Sequence, residues 1–185
     1  FLVETLMYYA EDELDAGFAK SRLGVKQFKV DLEKDDQIDA VNDISVSSDS
    51  DVLLSVGVVA PIPAVRGLEA FAGYTENYAA IKDVILEDNN NDVSNVEPET
   101  ADNIDVGLRY SSPGFNASLT YYDIRFENRI TFFSVAEVDG IDFLESAEGA
   151  YINVGGIDSQ GIEASVDYAI TDSLSVYGSY TYNDS

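Results

Sequence analysis

Asp88-Asn89-Asn90-Asn91-Asp92 sets side-chain oxygens at alternating positions, and Glu99 falls at the twelfth place counted from Asp88. That spacing imitates a calcium loop of EF-hand type, where carboxylates and amides replace the hydration shell of a hard cation. The imitation is incomplete. The sixth place, where the turn needs Gly, is Val93, and Pro98 lies within the loop. Asp88, Asn90, Asp92 and Glu99 are therefore candidate calcium ligands beside the plainer alternative, an acidic hydrated loop; no cofactor is required. Asp49 and Asp51, with Asp31–Asp36, offer a second place where a divalent cation would gather if the loops converge. Paired carboxylates of the kind that hydrolyse glycosides need two acids set apart from the rest. Acids occur throughout this chain and no pair stands out, so no catalytic residue is assigned. Gly155-Gly156 is no phosphate cradle, because neither a helix pattern nor a Lys accompanies it.

The composition narrows the chemistry further. The 185 residues contain no Cys and no His, which removes thiolate nucleophiles, Cys/His zinc sites and His-based triads. Against 35 Asp and Glu stand 10 Lys and Arg, a net charge of -25, and such a surface repels nucleic acid. With 45% hydrophobic and 11% aromatic residues, the chain has too much to bury for an acidic disordered tail. No apolar run approaches the roughly 18 residues of a membrane-crossing helix, but a membrane-crossing strand needs only about ten alternating ones.

The elements that would position these residues have a period of two. Ile104, Val106, Leu108 and Tyr110 alternate with Asp105, Gly107 and Arg109. The same alternation sets Phe115, Ala117, Leu119 and Tyr121 against Asn116, Ser118, Thr120 and Tyr122. It recurs with Ile162, Ala164, Val166 and Tyr168 against Glu163, Ser165 and Asp167, and again over 174–182. One apolar and one polar face per strand predicts an antiparallel sheet between two different environments. Weaker strands fit 1–9, 18–32, 52–60 and 68–79, with a bulge expected in 18–32, which makes about eight.

The connections alternate in length. Short ones fall near 10–17, 61–67, 111–114 and 171–173, and long ones near 33–51, 80–103 and 127–161. In an up-and-down sheet this puts every long connection at one rim and every tight one at the other, the arrangement of an outer-membrane barrel. Residues 31–51, 80–103 and 127–161 hold eight, seven and seven of the 35 acids. Tyr8, Tyr9, Tyr78, Tyr110, Tyr121, Tyr180 and Tyr182, near strand ends, suit interfacial girdles, although Tyr also simply favours strands.

Five blocks carry a resemblance. Val96-Glu97-Pro98-Glu99 through Asn103, Gly107 and Arg109 resembles the "PE…N.E.G.R" signature of TonB-dependent outer-membrane receptors, with Asp105 where Glu is usual. Leu68–Tyr78 is similar to that family's "L…FAGYSEGF" strand, though Asn77-Tyr78-Ala79-Ala80 departs from its usual end. Ala117–Ile130 is similar to "tyF…i.N.I", Tyr151-Ile152-Asn153-Val154-Gly155 through Gly161 and Glu163 to "Y.N.G…G.E", and Leu174–Tyr182 to "L.l.gsyty". The blocks follow the family's order and cover roughly 68–182.

The resemblance implies that residues 1–185 are about eight strands of a 22-stranded all-β transmembrane barrel, with the plug domain and final strands absent from this chain. It implies active import of a scarce solute such as a ferric siderophore across a Gram-negative outer membrane, and no enzyme. The partners implied are membrane lipid, the protein's own plug, the TonB energy-transducing system and a small-molecule ligand such as an iron chelate. Glu97, Pro98, Glu99, Asn103, Gly107, Arg109, Tyr151, Asn153, Gly161 and Glu163 carry the family motifs in a structural role. Asp105, Arg109, Asn116, Ser118, Thr120, Glu163, Ser165 and Asp167 are the expected lumen-facing row. The chain opens at Phe1 without initiator Met or signal peptide and stops just after a strand pattern, so it reads as an excerpt. Two rivals stand beside the importer: a complete eight-stranded structural barrel, and a soluble β-sandwich that binds calcium or glycans.

Overall fold

The computed structural model describes residues 2–35, 44–88, 96–134 and 149–185. Eight long strands form one antiparallel sheet: β1 (Leu2–Asp15), β2 (Lys20–Lys34), β4 (Leu53–Pro61), β5 (Leu68–Ala79), β6 (Glu99–Ser112), β7 (Phe115–Glu127), β10 (Ile157–Thr171) and β11 (Leu174–Asp184). They lie side by side in chain order. Between them come β3 (Ile44–Asp49), a short helix α1 (Asp83–Asp88) and a separate ribbon of β8 (Ile130–Ser134) with β9 (Gly149–Asn153).

Directly opposed residues of an antiparallel pair share a face, so the register sorts the side chains. Ala72, Val106, Tyr121, Ile162 and Tyr182 lie on one face, as do Ala70, Leu108, Leu119, Ala164 and Tyr180. Among the described residues neither a second sheet nor a helix covers this apolar face, and Val106 and Leu119 are each 51% exposed. The sandwich reading required a second layer there. The eight-stranded barrel reading required β1 to pair with β11; among the described residues they form the two ends of an open sheet.

Two aromatic rows bound the apolar face. Near the tight turns, the Tyr110 and Phe115 rings lie 5.9 Å apart and the Phe115 and Tyr168 rings 6.1 Å apart. Six residues along β7, about 20 Å at strand rise, Tyr121 begins a second row with Tyr182 and Tyr74. The Tyr121 hydroxyl donates to Gln160 Oε1 at 3.0 Å and the Tyr74 hydroxyl to Glu76 Oε1 at 2.8 Å. Each phenol thus keeps its ring on the apolar belt and its polar tip toward the long connections. Tyr9, by contrast, pairs with Lys26 on the polar face, and Tyr78 stacks on Phe28 with 6.2 Å between centroids. Neither joins a row. Asp12, opposite Leu23, breaks the apolar face of β1.

Several strand limits differ from the sequence expectation. The segment 10–17 reads as a polar turn, yet β1 continues to Asp15 and only residues 16–19 turn. Its acids meet bases on β2: Arg22 lies 3.6 Å from Glu11 and 3.3 Å from Glu13, and Lys20 3.4 Å from Asp15. Complementary charge keeps the ladder paired where hydropathy falls. The β1–β2 register is unbroken, so no bulge interrupts 18–32 there. The irregularity is on the other side of β2, where two residues (27 and 28) oppose three (50–52) between β3 and β4. Buried Ser50 repairs that break. Its N–H donates to the Phe28 carbonyl, and its Oγ accepts from the Phe28 N–H at 2.8 Å.

The long connections carry a core of their own. Ile81, Ile85 and Val96 are buried together, with Val46, Ile130 and Tyr151 packed against them. These side chains come from three different connections, so their apolar contact ties the described parts of the three together.

Candidate functional site

The polar face of the sheet carries several side-chain pairs. The register puts Asp105, Arg109, Asn116, Ser118, Thr120, Glu163, Ser165 and Asp167 on it together. Arg109 Nε donates to Glu69 Oε2 at 2.6 Å, and Asp105 accepts from Asn103 Nδ2 at 2.7 Å. Ser118 and Ser165 hydroxyls lie 2.7 Å apart, and Ser111 Oγ donates to Asn116 Oδ1 at 2.7 Å. With the ion pairs of β1 and β2, this surface carries charged and hydrogen-bonded groups from β1 to β10. Gly107 and Gly161 lie on it beneath aromatic rings, Phe71 over the first and Tyr122 over the second. They are close-approach positions.

At the rim the motif residues meet. Asn153 Oδ1 accepts from the Glu97 N–H at 2.7 Å, and Asn153 Nδ2 donates to the Glu97 carbonyl at 2.9 Å and the Asn128 carbonyl at 2.6 Å. Glu99 Oε1 accepts from the Ile130 N–H at 2.6 Å while Arg129 approaches Oε2 at 3.5 Å. Tyr151 packs on the rim core and lies 5.1 Å from the Phe132 ring. Pro98 has no N–H to leave unpaired in this crowded approach to β6. The two blocks, 97–103 and 151–153, are thus two halves of one fastening. Asn128, part of the Ala117–Ile130 block but assigned no contact from the sequence, takes a left-handed backbone with φ 54° and gives its carbonyl to Asn153.

Beside this fastening a cavity of about 500 Å³ opens between the β3–β4 bulge and β5–β6, lined by Asp49, Asp51, Glu76, Glu97, Asp102 and Tyr78 among others. Its described lining includes no Lys or Arg. Glu76 is already engaged, taking the Leu54 N–H at 2.6 Å where the β4–β5 ladder ends. Burial, with the Asp49 carboxylate nearby, pushes the Tyr78 phenol above its ordinary value. Among the described residues no three carboxylates come together in a metal-holding arrangement. Of the candidate calcium ligands, Asn90 and Asp92 lie outside the described residues, Asp88 ends α1, and Glu99 has its oxygens turned to Ile130 and Arg129.

Solved structures with this strand arrangement include the FrpB iron transporter from Neisseria meningitidis, at 17% identity and TM-score 0.71, covering 98% of this chain and 25% of that one. The hemophore receptor HasR of Serratia marcescens, solved with its hemophore HasA and heme, matches at 14% identity and TM-score 0.74 over 99% of this chain and 34% of its own. The ferripyoverdine receptor of the Pseudomonas aeruginosa outer membrane matches at 18% and 0.70, over 98% and 22%. The chain therefore spans between about a fifth and a third of the length of these proteins. Among curated proteins none matches by sequence. The family model for the TonB dependent receptor-like β-barrel matches residues 5–185. With nearly the whole chain matched and its apolar face, aromatic rows and polar wall in place, this protein belongs to the TonB-dependent receptor β-barrel family of the Gram-negative outer membrane.

Proposed function

We propose that this chain is part of the wall and outer rim of a receptor that imports a scarce solute such as a ferric siderophore, working with its own plug domain and with TonB. The observation that carries this reading is the division of one continuous sheet into an uncovered apolar face and a hydrogen-bonded polar face. The apolar face meets lipid, and the polar row from Asp105 to Asp167 borders the lumen. Asp105, Arg109, Asn116, Ser118 and Ser165 are engaged with neighbouring side chains, which suits a wall that holds water or a plug and lets solute pass without covalent chemistry. Capture falls to the rim. Its carboxylates favour a neutral or cationic complex, or an anionic one bridged by cations, over a bare anion, within the roughly 8 Å reach of charge at physiological salt.

Growth of a strain lacking the full gene on a panel of iron, haem, vitamin and glycan sources tests the proposal. The expected result is a defect confined to one scarce source and restored by the gene. Undiminished growth and uptake on every source overturns it.

A further inference from the structure

With 35 acids against 10 bases, a base in this chain usually meets a carboxylate. Lys20, Arg22, Lys29, Arg109, Arg125 and Arg129 each face one. Lys26 does not. It is half-buried in the middle of β2 and makes no ion pair with a described residue. Its ammonium lies instead over the Phe28 ring, 5.9 Å from the centroid. A ring face attracts a cation without neutralising it, so the charge of Lys26 is left to act on a ligand.

The register puts this group on the polar face. Lys26 stands four residues along β2 from Arg22, whose row runs through Gly57 and Gly73 to Asp105. On β1, Tyr9 opposes Lys26 and Met7 opposes Phe28. Tyr9 is 74% exposed, so an open ring stands beside the ammonium. Phe28 is held from its other side by Tyr78, whose ring stacks on it with 13° between the planes. A flat aryl group stacks on such rings, and a negative charge on it pairs with the ammonium. The acidic rim begins immediately beyond: Leu53, the β4 partner of Lys26, also lines the cavity that holds Asp49, Asp51 and Glu76. Charge complementarity therefore suits a complex that turns a cationic centre toward the carboxylates and an anionic aryl arm toward Lys26.

We infer that Tyr9, Lys26 and Phe28 form a lumen-facing subsite for an anionic aryl group, so that the solute is a metal chelate carrying such groups. The inference rests on the importer reading and narrows its substrate class. Lys26 selects by charge, and Tyr9 and Phe28 select by ring contact.

The test is calorimetric titration of the full-length receptor in micelles with two ferric complexes: a dihydroxybenzoyl chelate, aryl and anionic, and a trihydroxamate, neutral and without rings. The parent should bind the dihydroxybenzoyl complex more tightly. Lys26→Gln should weaken that binding about tenfold, the loss of one charged contact. Tyr9→Ala should weaken it about threefold through the lost ring. Neither should alter trihydroxamate binding, and Lys26→Arg, which keeps the charge, should stay near the parent. If Lys26→Gln fails to assemble, Tyr9→Ala, at an exposed position, carries the test. A parent that does not favour the dihydroxybenzoyl complex overturns the subsite, as does unchanged binding of that complex in any variant that loses the charge or the ring. If the same receptor still restores growth of the deletion strain on one scarce source, the subsite alone falls; if it restores growth on none, the importer reading falls with it.

Discussion

The ring of Phe71 lies directly over Gly107, its cross-strand partner on the polar face of the sheet. A Cβ placed on Gly107 would come 2.5 Å from that ring and equally close to the Leu119 carbonyl. An aromatic here covers backbone that a glycine leaves bare, as designed sheets do deliberately. Gly107→Ala should therefore destabilise the barrel by about 1–3 kcal/mol, the usual range for overpacking, as measured by denaturant unfolding of the full receptor in micelles. Adding Phe71→Ala should fail to restore the loss, since the Leu119 carbonyl belongs to the sheet itself and has nowhere to go. Full rescue by the double variant would show that the ring was the sole obstacle.

Leu119 lies between the two aromatic rows on the apolar face, and its neighbour Ser118 lies on the polar one. Leu119→Arg should cost about 2–4 kcal/mol, the range for a cation at bilayer mid-depth, whereas Ser118→Arg should cost much less. Folding titrations into vesicles compare them. Equal penalties would mean that the two faces do not meet different media.

Asp15 closes the β1–β2 turn, accepting from the Gly17 N–H at 2.8 Å and facing Lys20. The Gly17 amide, and then the Lys20 charge, hold its carboxyl below the ordinary value of 3.8. A carboxyl lowered on folding adds stability above its unfolded value and forfeits it as pH falls through the folded one. Protection of the Gly17 amide against hydrogen exchange, corrected for intrinsic rate, should therefore persist at pH 5 and decline only below 3.8. In Asp15→Asn that acid dependence should vanish.

Arg109 and Glu69 make the shortest ion pair of the wall, 2.6 Å, with both side chains open to solvent. Exposed pairs contribute roughly 0.2–1 kcal/mol. A double-mutant cycle with Arg109→Gln and Glu69→Gln should give a coupling in that range that shrinks in 1 M salt. A coupling of several kcal/mol, indifferent to salt, would mean that the pair is dry in the assembled receptor.

The main strands were legible because their signal is local. Alternation at Ile104–Tyr110 and Phe115–Tyr122 needs no knowledge of the partner strand, and Pro113-Gly114 announces the turn between them. Polar strand ends were not. Glu11, Glu13 and Asp15 look like loop until Lys20 and Arg22 face them. Nothing about Ser50, set between two aspartates, announces that it will mend a bulge, because its task exists only once β2 lies alongside. The motif blocks were visible as blocks, with a structural role and no stated contact.

From the sequence alone follow a sheet with two unlike faces, long acidic connections gathered at one end, and the family whose motifs recur in order, because period, loop length and residue type are properties of neighbouring positions. Which distant residues touch is decided by strand register and by packing above the sheet. Asn153 meets Glu97 across 56 positions, and Ile130 packs against the cluster of Ile81, Ile85 and Val96 from another connection. The rim is therefore a product of the tertiary structure: its hydrogen bonds join chain segments whose separation in sequence carries no local trace of the contact.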